Sequence, residues 1–96
     1  MERLLTIRES LKALKPELTS KFHVSSLGLF GSVVRDDFKS DSDIDIIVDF
    51  SLPVGVEFID LANYIEKKLN CKIDLVSRRA IKDKYFKAIE PEIVYV

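Results

Sequence analysis

The stretch Asp43-Ile44-Asp45-Ile46-Ile47-Val48-Asp49-Phe50 decides how this chain folds. Its alternation predicts a β-strand over 43–50, with Ile44, Ile46, Val48 and Phe50 on one face. Asp43, Asp45, Ile47 and Asp49 fall on the other face. One face therefore packs on a helix, while the other starts with two acids pointing the same way. Two strand steps separate their Cα atoms by roughly 6.5 Å, which suits two side chains leaning on shared metal ions. Acids gathered at one place repel each other unless a cation lies between them.

Upstream, Val24 to Phe30 reads as another strand, with Gly28 marking a bulge or a close backbone approach. Gly31-Ser32 follows, and Ser32 to Asp37 reads as the first turn or two of a helix. Phe38 to Ser42 is a polar connection. Residues 2–15 form a helix in this reading, because Leu4, Ile7, Leu11 and Leu14 recur at three- and four-residue steps. Pro16 ends that helix or starts a short second one. The stripe is too short for a stable coiled coil and reads as core packing.

Downstream, Pro53 and Gly55 punctuate a loop before a helix over Val56 to Leu69, which Asn70 stops. Cys71 to Val76 is a third strand and Ile81 to Glu90 a last helix, closed by Pro91. Ile93 to Val96 is an apolar tail, either an edge strand, a segment packed on the core or a docking patch. The order α-β-α-β-α-β-α predicts an α/β (α+β) layer arrangement with a small parallel or mixed sheet of at least three strands flanked by helices.

Composition sets bounds on function. The chain has 96 residues, enough for a single domain spanning 1–96 with a lean core. Fifteen Lys and Arg against sixteen Asp and Glu give no overall attraction to nucleic acid or an anionic membrane, so direct DNA binding is not expected. Arg78, Arg79, Lys82 and Lys84 form a local basic group, read as a solvated helix start. A single cysteine, Cys71, excludes an internal disulfide and fits a reducing cytoplasm, with the thiol as a small buried apolar group. Charges at Glu2, Arg3, Arg8 and Glu9 leave no signal-peptide core, and no apolar run approaches the ~20 residues that span a bilayer. His23 has no second ligand at metal spacing and reads as a surface residue ahead of its strand. Tyr64, Tyr85 and Tyr95 read as packing residues.

The chemistry resides in a combination. Gly31 allows close backbone approach, and N–H groups at a helix start beside the Ser32 hydroxyl suit an anion. Read alone, Gly-Ser after a strand is a turn with an N-cap, and Asp43-x-Asp45 is a solvated strand face. Asp74 lies in a second apolar run, Ile73-Asp74-Leu75-Val76. It is either a strand-end acid paired with Lys72 or Arg78, or a third carboxylate that a neighbouring strand delivers beside Asp43 and Asp45. Together, a phosphate cradle and three carboxylates are what nucleotidyl transfer requires.

Gly31-Ser32-x-x-Arg35 followed by Ser42-Asp43-x-Asp45-x-x-Val48 resembles the signature of the DNA-polymerase-β-like nucleotidyltransferase superfamily. The length and the Arg35-Asp36-Asp37-Phe38 run resemble its minimal nucleotidyltransferases from prokaryotes. The resemblance implies a nucleotidyltransferase fold, Mg²⁺ held by Asp43 and Asp45 with Asp74 as third catalytic and metal-binding carboxylate, and nucleotide phosphates held by Gly31 and Ser32. Two ions are implied, and oxygen ligands suit Mn²⁺ as well. Arg35 either contacts phosphate or forms a salt bridge with Asp36, Asp41 or Asp49. The resemblance also implies an antitoxin that transfers AMP from ATP to a tyrosine of a HEPN-type ribonuclease toxin. Two rival readings stand beside it: an antitoxin that neutralises by contact alone, and an enzyme acting on a small molecule or an RNA end.

Overall fold

A long helix, α1 (Glu2–Phe22), opens the chain in the computed structural model, which describes residues 2–35 and 43–96. The sequence suggested a stop near Pro16, yet the helix continues through it. Leu18 is fully buried one heptad after Leu11, and Phe22 packs against the same core. One missing donor at Pro16 is outweighed by the apolar face that the extra turns bury. The helix ends where His23 takes a left-handed conformation (φ 59°), its N–H donating to the Thr19 carbonyl at 3.2 Å.

Strand β1 (Val24–Phe30) follows, then a 3-10 turn (Gly31–Val33). Where a helix was expected over 32–37, the chain starts with this 3-10 turn, and the Arg35 N–H also donates to the Gly31 carbonyl at 3.1 Å; residues 36 and 37, and the connection over 38–42, lie outside the described residues. Next come β2 (Ile44–Phe50), α2 (Glu57–Leu69), β3 (Ile73–Ser77), α3 (Asp83–Ile89) and the short β4 (Val94–Tyr95). Asp43 precedes its strand rather than opening it, and Cys71 and Lys72 belong to the turn before β3. Asn70, left-handed at φ 54°, caps α2 as expected. Pro91 does not terminate α3 but lies within a 3-10 turn, Glu90–Glu92. Its ring fits the start of that turn, where no backbone donor is needed.

The sheet is mixed, in the order β3-β2-β1-β4. β1 pairs antiparallel with β2 and β4, and β2 pairs parallel with β3. The tail is thus a fourth, edge strand. Ile44, Ile46, Val48 and Phe50 of β2 and Leu27 and Leu29 of β1 enter one buried cluster with Ile7, Leu11 and Leu18 of α1 and Leu61 and Ile65 of α2. The period-two reading of β2 is realised in this face. Cα extents of 34 × 31 × 19 Å leave the short dimension for one helix layer on one sheet. The acids of β2 and β3 share the face away from α1 and α2.

Candidate active site on the acidic sheet face

β2 and β3 run parallel with Asp45 opposite Asp74. Register partners in adjacent strands project to the same face, so the ladder delivers Asp74 beside Asp45. Ile44 and Ile73, the preceding partners, point into the core and fix that register. Asp43 is exposed just ahead of β2, and Asp45 is half-buried. Burial, then the Asp74 and Asp43 carboxylates, raise the Asp45 carboxyl above its ordinary value; Arg35 opposes this and Glu92 adds to it. The site therefore has an excess of negative charge. Among the described residues, no three acids, imidazoles or thiols already close into a metal cage. Hard carboxylate oxygens that repel one another fit a hard divalent cation.

Gly31 stands across the strand end, at φ +78°. A Cβ there would run into the Asp45 carboxylate, whose Cγ would be 3.0 Å away. Only glycine allows the turn to come so close to the acid. Ser32 is half-buried in the same turn. The Gly31 N–H donates to Glu92 Oε1 at 3.1 Å, and Arg35 Nη1 donates to Glu92 Oε2 at 3.1 Å. Glu92 was not singled out in the sequence. The available signal was an acid immediately before an apolar tail, the pattern Asp43 also shows before β2.

Arg35 thus pairs with Glu92. Of its sequence-suggested partners, Asp49 is held instead by Arg79 Nε at 3.2 Å, and Asp36 and Asp41 lie outside the described residues. Arg78 pairs with Asp83 at 3.7 Å rather than with Asp74, its guanidinium 3.7 Å from the centre of the Phe86 ring. Arg78 and Arg79 are engaged structurally and not merely solvated. Cys71 is half-buried, not fully so. Tyr64 stacks near Phe22, ring centroids 5.4 Å apart. Tyr85 and Tyr95 are 61% and 51% exposed, so packing does not account for them. Of the tail, Ile93, Val94 and Val96 are half-buried, which leaves only Tyr95 as an exposed apolar surface. Gly28 makes this packing possible, since a Cβ there would be 2.6 Å from Ile93 Cγ2.

A mixed α/β sheet with acids at the ends of two parallel strands, facing a glycine turn, defines a phosphoryl- or nucleotidyl-transfer type of domain. The nucleotidyltransferase domain family matches residues 8–95, and the chain belongs to that family. A protein adenylyltransferase, MntA of Thermococcus cleftensis, is 42% identical over 97 residues, covering 100% of this chain and 98% of the relative. A solved structure assigned to a minimal nucleotidyltransferase superposes with a TM-score of 0.80 at 26% identity, over 95% of this chain and 93% of that one. An MNT antitoxin structure, in complex with a tri-AMPylated HEPN toxin of Shewanella oneidensis, gives a TM-score of 0.65 at 21% identity, over 90% and 66% of the two chains. That likeness concerns the fold.

Proposed function

We propose that this domain transfers AMP from ATP to a tyrosine hydroxyl of a HEPN-type toxin, acting as its antitoxin in the prokaryotic cytoplasm. The observation that carries this reading is the register pairing of Asp45 with Asp74 beside Asp43, opposite the Gly31 turn. The 42% identity to a protein adenylyltransferase over the whole chain supports the protein acceptor. The AMPylated toxin bound by a structural neighbour supports the class of partner.

Asp43, Asp45 and Asp74 would hold Mg²⁺, which when bound polarises phosphate oxygens and offsets the charge that builds on a leaving pyrophosphate. The excess negative charge around Asp45 favours such cations. Gly31 brings a backbone N–H to the site, Ser32 adds a hydroxyl and Arg35 a fixed positive charge, and these orient the triphosphate. Asp74 is exposed, and in this reading it takes the proton of the incoming hydroxyl. The α-phosphorus gains a bond to the tyrosine oxygen as its bond to pyrophosphate breaks.

The test combines Asp43→Asn with Asp45→Asn. With ATP, Mg²⁺ and the toxin, transfer should fall by at least about a hundredfold, read as the AMP increment in the toxin's intact mass. Toxin neutralisation in cells should fail as well. A stably folded double variant that still protects cells fully would sink the enzymatic account and leave neutralisation by contact. Transfer to a small molecule or an RNA end, with the toxin unmodified, would redirect the acceptor.

A further inference from the structure

Gly31 and Arg35 are the groups read above as triphosphate ligands, and in this structure both are already engaged. Glu92 Oε1 accepts from the Gly31 N–H at 3.1 Å, and Oε2 accepts from Arg35 at 3.1 Å, with a longer contact of 3.4 Å to Oε1. The bond crosses 61 residues of sequence, so it is made by the fold and not by local turn geometry. A carboxylate on one backbone N–H and one guanidinium presents two oxygens to two donors, as a phosphate would. Placing a carboxylate there also has a cost, since it adds a further negative charge beside the crowded Asp45.

We propose that Glu92 is the internal occupant of the phosphate position and sets nucleotide affinity, because a triphosphate must displace it to reach Gly31 and Arg35. The inference rests on the phosphate role of those two residues. Glu92 ends the 3-10 turn that leads into β4, and its side chain is only 26% exposed. The carboxylate keeps the Gly31 N–H and Arg35 satisfied when no nucleotide is bound. On binding, the donors exchange one anion for another, and the released Glu92 turns to solvent. Glu92 therefore weakens binding of the triphosphate by the strength of the contacts it gives up.

Dissociation constants for ATP and for inorganic tripolyphosphate, each with Mg²⁺, decide the matter by calorimetry on the wild-type chain and on Glu92→Gln, Glu92→Ala and Glu90→Gln. Glu92→Gln keeps the size and an acceptor but removes the charge, and thermal melts establish that each variant is folded. Both Glu92 variants should bind both ligands about tenfold more tightly, the order expected when a charge-assisted contact no longer has to be broken. The exposed Glu90→Gln should match the wild type. In the wild type, saturating tripolyphosphate should move the Gly31 amide resonance away from its free position. Equal or weaker binding by folded Glu92 variants, with the wild type binding normally, would overturn the inference and make Glu92 a positioning residue for Arg35. Failure of every folded chain, wild type included, to bind either ligand would overturn the phosphate reading itself and the inference with it.

Discussion

Asp45 is the residue on which the charge of the site concentrates. Half-buried and flanked by Asp74 and Asp43, it holds a proton more readily than an isolated aspartate. Its folded-state value lies above the unfolded one, so ionising it opposes folding, and its unfavourable contribution grows as pH rises through the carboxylate range. Asp45→Asn should stabilise the metal-free domain at pH 7 by roughly 0.5 kcal/mol, a size discounted for the solvent that screens a half-exposed group. The gain should vanish near about pH 3, where the aspartate is mostly protonated in both states. Thermal melts of both chains at the two pH values measure this, and a gain that persists unchanged in acid would exclude charge crowding as its cause. That Asp45 and Asp74 meet on one sheet face was legible in the sequence, because acids within apolar alternation violate what burial alone would select. Glu92 was not, because its partners Gly31 and Arg35 are 57 to 61 residues away and meet it only through the fold.

At the scale of elements, periodicity read correctly wherever a face was buried. The alternation of β2 and the Leu4, Ile7, Leu11 and Leu14 stripe of α1 both appear in the core cluster. Punctuation by single residues read less well. Pro16 alone reads as the end of α1 or the start of a second short helix, but Leu18 and Phe22 extend the same stripe and packing overrides propensity. Pro16→Ala should therefore stabilise the domain, by about 1–3 kcal/mol, since it restores a helix donor without disturbing the exposed position. Urea denaturation gives the value, and a loss of stability would mean that the proline sets a bend on which the α1 packing depends. Of the helix expected over 32–37, the described part is a 3-10 turn whose Gly31 carbonyl accepts from both Val34 at 3.0 Å and Arg35 at 3.1 Å; its remainder lies outside the described residues. Two apolar residues in β4 offer too short a run to distinguish a strand from a packed tail by pattern alone.

For the whole molecule, closure of the sheet depends on its last residues. The Val96 N–H donates to the Leu27 carbonyl at 2.9 Å, and Lys15 Nζ donates to the Val96 carbonyl at 2.7 Å, joining the tail to both β1 and α1. Truncation after Glu92 removes these bonds and uncovers Gly28 and Ile47. The melting temperature should fall by about 4–8 °C, the shift that roughly 1 kcal/mol produces in a domain of this size. Circular dichroism on heating reads it, and an unchanged midpoint would show that β4 contributes no net stability.

Once Ile44 and Ile73 have fixed the register, the backbone spacing of Asp45 from Asp74 follows from the sheet itself. It is the distance between two hydrogen-bonded strands, about 4.8 Å, which every sheet shares. Replacing one core aliphatic by another shifts volumes but leaves that interval alone, so the reactive end tolerates sequence drift in the rest of the domain. Outer surfaces can then change while the peptide lattice keeps the two aspartates in step.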